Sequence, residues 1–229
     1  MIDPSNFSKT NLTILRDERI GLVRITVTKE NLKNVKKIIN ELKNYPVKIS
    51  TNVIRMSRYT KNDLLNLVEQ LSKLETQVIY LADSNGAMLP NELSEIFVES
   101  KNIIKNNNKQ KLGFHGHNNL GLAEINALKS IKSGCDLIDG SILGYGKLSG
   151  NVPLEVFIPL LNKIGLNSHW NLEMIYVTAQ YFYKFAAKSK YFSCRSKGAL
   201  IGMKNLNLNE IKKDPNLLFN FKGVTKCEY

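Results

Sequence analysis

The chain has 229 residues, 43% hydrophobic and 23% charged, with a formal net charge of +12. That is the composition of a soluble globular protein with a substantial core, as one large α/β domain or two small ones. The excess positive charge does not make a nucleic-acid footprint, because lysines are scattered through every segment with no arginine cluster or aromatic-interleaved stripe.

No apolar run approaches the roughly 18 to 20 residues of a spanning helix, so no membrane partner is expected. Cys135, Cys194 and Cys227 are odd in number and lack ligand-like or framework spacing. They read as free thiols in a reducing cytosol. The start Met1-Ile2-Asp3-Pro4-Ser5 lacks a signal-peptide pattern, and a cytoplasmic location is expected.

Between about residues 20 and 170, short β-type runs alternate with amphipathic helical ones. Leu22 to Val27 is a strand rich in β-branched residues, followed by Leu32, Val35, Ile38, Ile39 and Leu42 at helical spacing. Val47 to Ser50 with Val53-Ile54 predicts a second strand. Asn62 or Asp63 is the expected cap of the next helix, whose stripe is Leu64, Leu67, Val68, Leu71 and Leu74. Val78 to Ala82 is apolar throughout, as a strand buried on both faces should be. A helix is expected from Pro90 to Lys105, then a strand at Lys111 to Phe114 and a helix carrying Leu122, Ile125, Leu128 and Ile131. Leu137 to Ile142 reads as a fifth strand, and Pro153 opens a further helix. Leu166 to Trp170 is a candidate sixth strand.

Strand then helix at this pitch argues a parallel sheet. No G-x-G-x-x-G follows the first strand, which disfavours a dinucleotide-binding open sheet. A (β/α) barrel fits better, since the polar clusters Asp83 to Gly86, His115 to Asn119 and Gly144 to Asn151 all fall at C-terminal strand ends. Two domains are expected: residues 1–170 as a partial barrel, and residues 171–229 as a helical and irregular extension. In the extension, the aromatics from Tyr176 to Phe185 read as core or interface packing, and the Lys- and Asn-rich sequence beyond Tyr191 reads as peripheral.

His115 and His117, two of only three histidines, sit at i and i+2 by a strand end. Strand alternation points them the same way, within reach of one divalent cation. Two polar residues hydrogen-bonded to neighbours is the competing reading.

The run His115-Gly116-His117-Asn118-Asn119-Leu120-Gly121-Leu122-Ala123, then Asp139-Gly140-Ser141, then Gly144-Tyr145-Gly146-Lys147-Leu148-Ser149-Gly150-Asn151-Val152-Pro153-Leu154-Glu155, resembles the DRE-TIM metallolyases. The 4-hydroxy-2-oxovalerate aldolase branch looks closest. Asp83-Ser84-Asn85-Gly86 also resembles the family's Asp-Ser-x-Gly. The resemblance spans about residues 20–170 and implies a divalent-metal (β/α)8 barrel that breaks or makes a carbon–carbon bond beside a 2-oxo acid. It makes His115 and His117 metal ligands, with Asn151 at a position that also approaches the metal in some members. For Asn151, satisfying loop backbone groups is an equal alternative. Asp83 and Ser84 match pocket positions and are the candidate catalytic residues; Asn119 and Asp139 are candidate substrate-binding residues, Asp139 as a hydrogen-bonding pocket floor. Imidazoles with oxygen donors suit Mn²⁺, and Mg²⁺ less well, while a Cys-free site argues against structural zinc.

One departure matters. The family's Arg-Asp pair belongs on a first strand, five βα units before the histidines. Leu15-Arg16-Asp17-Glu18 looks similar, but too few strands separate it from His115, and it reads as a turn leading into the family's third strand. The expected fold is therefore an incomplete barrel of about six strand–helix units with two exposed edges. A fragment or truncated product, a chain complemented by another polypeptide or a second copy, and a non-catalytic scaffold all remain open. The expected function is a metal-dependent lyase releasing pyruvate and an aldehyde, inactive in isolation if the missing ligand is not supplied. A non-catalytic interaction module, or a Claisen-type acyltransferase of the isopropylmalate synthase kind, is the alternative.

Overall fold

Five runs of mostly apolar or β-branched residues form a parallel sheet in chain order: β1 (Leu22–Val27), β2 (Lys48–Val53), β3 (Val78–Asp83), β4 (Lys111–Gly116) and β5 (Leu137–Asp139). The computed structural model describes residues 1–17, 20–106, 110–166, 169–186 and 201–218. Helices α2 (Leu32–Leu42), α3 (Lys61–Ser72), α4 (Pro90–Asn106) and α5 (Ala123–Lys132) join successive strands. Parallel strands need such crossovers; the helices cover one face of β3 and the inward curl of the sheet covers the other, so β3 is buried along its whole length.

The core lies between that outer face and the helices. Val23, Ile25, Val27, Ile79, Leu81, Leu112 and Phe114 meet Val35, Ile38, Leu42, Leu64, Leu71, Leu93 and Phe97. Phe97 of α4 sits edge-on to Phe114 of β4, centroids 5.7 Å apart.

The opposite face carries Arg24, Asn52, Tyr80, His115 and Asp139, one polar or aromatic group from each strand. Arg24 Nη2 donates to Asp139 Oδ2 at 2.7 Å, joining β1 to β5. In a flat sheet those strands would stand about 19 Å apart, beyond the reach of two side chains. The sheet therefore curls into a barrel arc, an α/β TIM-barrel-like fold. The Arg24 guanidinium lies 3.9 Å over the Tyr80 ring. A Cβ at Gly113 would fall 2.5 Å from that ring, so glycine is what lets Tyr80 lie across β4.

Both edges of the arc carry a short parallel segment. Ile2 pairs with β1, its N–H donating to Arg24 O and its carbonyl accepting from Thr26 N–H at 3.0 Å. At the other edge, Ser141 N–H donates to Val152 O and Leu154 N–H donates to Ser141 O, each at 3.0 Å. Asn151 to Pro153 thus takes the sixth-strand place before α6 (Leu154–Lys163). The candidate strand at 166–170 is corrected: Leu166, His169 and Trp170 are not in a strand, and 167–168 lie outside the described residues. The fifth strand also stops at Asp139 rather than Ile142, because Ile142 to Gly144 turns as a 3-10 helix.

Three further expectations change. Leu15-Arg16-Asp17 lies in helix α1 (Lys9–Asp17), where Leu12 and Leu15, three apart, turn toward the core, and not in a turn. Glu18 is outside the described residues. The α3 cap is Thr60, whose Oγ1 accepts from Asp63 N–H at 3.1 Å, leaving Asp63 in the first turn. Helix α7 (Leu172–Ala186) buries Ala179 and stacks Phe182 edge-on to Tyr145, while Tyr176, Tyr181, Tyr183 and Phe185 are exposed. Its aromatic stripe is mostly outside the core.

The described part of the C-terminal segment is not peripheral. Asn205 Oδ1 accepts from Ser57 Oγ at 2.8 Å and from Asn85 Nδ2 at 2.7 Å. Arg58 pairs with Glu210 at 2.9 Å. These bonds fold residues 201–218, with α8 (Leu208–Lys213), over the C-terminal ends of β2 and β3.

Candidate active site

β4 carries His115 inward, and His117 follows one residue beyond the strand, where it forms an antiparallel bridge with Asn151. The two rings end on the same side, centroids 5.2 Å apart and planes at 74°. They line a cavity of about 290 Å³ with Asn52, Arg55, Ser84 and Lys147, roofed by Asn207 to Asn209. A larger apolar groove of about 740 Å³ runs along the outside of α5 and α6, but none of these polar groups reaches it.

The two histidines are held differently. His115 Nδ1 lies 3.1 Å from Asp139 Oδ2. Burial opposes ionisation of Asp139, yet the hydrogen bonds from His115 and Arg24 outweigh it and hold the carboxyl below its usual range. An ionised Asp139 accepts a hydrogen bond from Nδ1–H, which keeps the proton on Nδ1 and leaves Nε2 as the lone-pair nitrogen. His117 is pushed down to about 4, first by burial and then by the charge of His115. At neutral pH it is an uncharged imidazole beside the backbone of Lys147 and Gly150. Its Nδ1 is sealed from solvent and has no partner.

Asn151 shows the same pattern. Its Nδ2 donates to Tyr145 O at 3.1 Å, while Oδ1 is buried and unpartnered. Gly146 allows this, since a Cβ there would fall 2.6 Å from Asn151 Nδ2. Unpartnered buried acceptors are uncommon and call for a donor or a cation. Nε2 of His115, Nδ1 of His117 and Oδ1 of Asn151 fit as neutral donors to a divalent metal. Among the described residues, no group of three or more His, Cys, Asp or Glu is gathered for one.

The other expected residues fall into two groups. Ser84 lines the cavity, and its Oγ accepts from Arg55 N–H at 3.0 Å. Asp83 faces the helices: its carboxylate accepts from Ala87 and Met88 N–H at 3.1 and 2.9 Å, and burial raises it above the usual carboxylate range. Asn119 is buried, with Nδ2 donating to Asn85 O at 2.9 Å and Oδ1 accepting from Ser149 N–H. It ties the loops after β3 and β4 together. Asp83, Asn119 and Asn151 are not among the residues lining the cavity; Asn151 stands behind His117 through its backbone bridge, and Asp139 acts on the cavity through His115. Arg24, Arg55 and the Asn207 region carried no motif, and only the inward alternation of β1 pointed to Arg24.

A family model described as HMGL-like matches residues 23–181. The chain belongs to the HMGL-like family. The 4-hydroxy-2-oxovalerate aldolase of Thermus thermophilus is 39% identical over 118 residues, covering 50% of this chain and 33% of that protein. The enzyme of the same name from Pseudomonas putida is 38% identical over 117 residues, with the same shares. The chain thus spans about a third of the length of the curated relatives it matches. In fold, this HMGL-like chain superposes on the N-terminal domain of a putative aldolase from Bacteroides vulgatus with a TM-score of 0.77. That match is 22% identical and covers 96% of this chain and 73% of that one. An HMG-CoA lyase from Brucella melitensis gives 0.69 at 16% identity, covering 78% and 71%. Among the described residues, no helix is long and apolar enough to cross a membrane.

The His117 environment sets a pH dependence. The folded ring binds its proton near pH 4 and the unfolded one near 6.5. Between these values the unfolded chain holds more protons, so stability rises with pH and is lost as pH falls from 6.5 toward 4. In metal-free protein the loss from this group is expected to approach about 3 kcal/mol, reduced for the part of the ring that solvent reaches. Urea midpoints at pH 7, 5.5 and 4.5 measure it, and His117→Asn should flatten the slope.

Proposed function

We propose that this chain is a divalent-metal carbon–carbon lyase that cleaves a 4-hydroxy-2-oxo acid to pyruvate and an aldehyde. The observation that carries the reading is the set of lone-pair atoms gathered at the C-terminal strand ends: His115 Nε2, and the unpartnered His117 Nδ1 and Asn151 Oδ1. The kinship with proteins named 4-hydroxy-2-oxovalerate aldolase supports the reaction class.

His115, His117 and Asn151 would hold the ion, with Asp139 and Arg24 fixing the orientation of His115. A bound divalent cation stabilises the negative charge that develops on a 2-oxo group when the adjacent bond breaks. All three protein donors are neutral, which leaves the substrate carboxylate and oxo oxygen as its anionic partners. Nitrogen and amide donors together suit Mn²⁺, with Mg²⁺ second. Asn207 to Asn209 cover the cavity and limit water, and Ser84 lies at its wall.

A non-catalytic module is the second reading. It is favoured by the lack of any carboxylate among the described residues that line the cavity, for the 4-hydroxyl proton or the metal. A coupled assay of pyruvate release with Mn²⁺ from 4-hydroxy-2-oxo acids with neutral and with anionic ends separates the two. Turnover that is lost on adding a chelator and restored by Mn²⁺ is expected for the lyase. No release under saturating Mn²⁺, with the ion bound, would leave the module.

A further inference from the structure

Charge balance in the cavity over the histidines points to a feature of the substrate that the lyase reading leaves open. Among the described residues, most cations near the C-terminal strand ends are paired: Lys29 with Asp63 at 3.0 Å, Arg58 with Glu210 at 2.9 Å and Arg24 with Asp139 at 2.7 Å. Arg55 and Lys147 are not within ion-pair distance of any described carboxylate, yet both line the cavity that holds His115 and His117. The rest of its lining is asparagine amides, Ser84, the two histidines, Met1 and apolar groups, with no carboxylate; Arg55 also borders a neighbouring cavity that holds Glu30, Asp63 and Glu210. Two cations lining one cavity whose own walls carry no carboxylate favour an anionic occupant.

Arg55 is held there at a cost. It sits just after β2 in the left-handed region, at φ 58° and ψ 42°. A residue with a Cβ loses about 1–2 kcal/mol in that conformation. The turn is locked by Arg55 N–H on Ser84 Oγ at 3.0 Å and by Arg58 N–H on Arg55 O at 2.9 Å. Strain of this kind gathers where a side chain has to be presented to a ligand. Lys147 comes from a separate loop, after β5, and its backbone contacts His117.

We propose that the cavity takes a 2-oxo acid whose aldehyde-derived end bears a second anionic group, a carboxylate or a phosphate, met by Arg55 and Lys147. This rests on the lyase reading for the 2-oxo head. A 2-oxo acid with an alkyl end gives its carboxylate to the divalent ion and offers nothing to Arg55 or Lys147, whereas an anionic end gives both a partner. The anionic end excludes a simple alkyl aldehyde such as acetaldehyde as the preferred product.

The test compares two stable ligands of equal length, 2-oxopentanoate and 2-oxoglutarate, which differ only in the terminal carboxylate. A third, 2-oxo-4-phosphonobutanoate, carries the phosphate-like end. Each is titrated calorimetrically into the full chain with Mg²⁺ and with EDTA. The anionic-ended ligands are expected to bind about tenfold tighter or more, with the margin shrinking as salt is raised. Whichever of the two anionic ends binds better identifies the terminal group. Arg55→Gln and Lys147→Gln should each bring the ratio toward one, while Lys33→Gln, on the outer face of α2, should leave it. Equal affinity for all three ligands, no binding of any, or a ratio untouched by both cavity variants overturns the proposal. Lys147 is exposed, so its variant reads out even if Arg55→Gln misfolds. If the preference is present but neither neutral- nor anionic-ended 4-hydroxy-2-oxo acids release pyruvate, the lyase reading fails and the anionic subsite stands.

Discussion

Replacing His117 with alanine is expected to weaken Mn²⁺ binding by roughly 100-fold or more and to abolish any pyruvate release. The size of the effect follows from how few donors there are. His115, His117 and Asn151 are the protein atoms offered, all neutral, so removing one takes away a third of the set. His115→Ala should match it. Asp139→Asn should cost less, about 10–100-fold, because it leaves His115 in place but removes the acceptor that orients the ring at 3.1 Å. Arg24→Gln should follow Asp139→Asn in the same direction. Titration of Mn²⁺ by electron paramagnetic resonance reads all four directly, with no need for turnover. Unchanged affinity in both histidine variants would remove the metal centre, and with it the lyase reading. A Tm unchanged in the absence of metal would show that lost affinity is not lost folding.

The second large effect lies behind the site. Phe97→Ala is expected to destabilise the fold by about 3–5 kcal/mol, a large part of the 5–15 kcal/mol typical of a domain. Phe97 and Phe114 are fully buried, edge-on at 5.7 Å, and they form the contact between α4 and β4. Phe114 immediately precedes His115, so a cavity there also loosens the strand that presents the histidine. Phe114→Ala should cost a similar amount, and the double variant less than the sum by about 0.5–1.5 kcal/mol for the ring pair. Tyr181→Ala, on the exposed side of α7, should change stability by less than about 0.5 kcal/mol. Denaturant midpoints at pH 7 give all of these, and a loss at Phe97 below 1 kcal/mol would mean that the core is not packed as described.

How legible the molecule was depended on how local each determinant is. β1 and β3 stand out because β-branched or continuous apolar runs mark a buried strand within six residues. The segment Asn151 to Pro153 carries no such mark. Its strand character comes from two hydrogen bonds to Ser141, ten residues back, and a proline at its end argues against it. Leu166 to Trp170, with an apolar residue at each end, reads as the better strand, but Leu166, His169 and Trp170 pair with none of the described strands. Similarly, Asn62 and Asp63 are good capping types, but the backbone turns at Thr60 and the cap goes there.

Two histidines spaced i, i+2 by a strand end, in an ordered frame from Asp83 to Asn151, were enough to indicate the family, and both rings line the candidate cavity. Spacing does this because alternation in a strand is a local rule, and a cation needs only that two side chains share a side. What the chain's order could not supply is which groups meet across the curl of the sheet. Arg24 reaches Asp139 from 115 residues away, and Asn205 reaches Ser57 from 148. Strand alternation, in step with Ile79 and Leu81, turned Asp83 toward the helices, and the packing of the loops after β3 and β4 put Asn119 into a clamp. Closing the arc then left Arg55 and Lys147 facing the same enclosure without a carboxylate, because charge balance in a cavity is a property of everything that lines it.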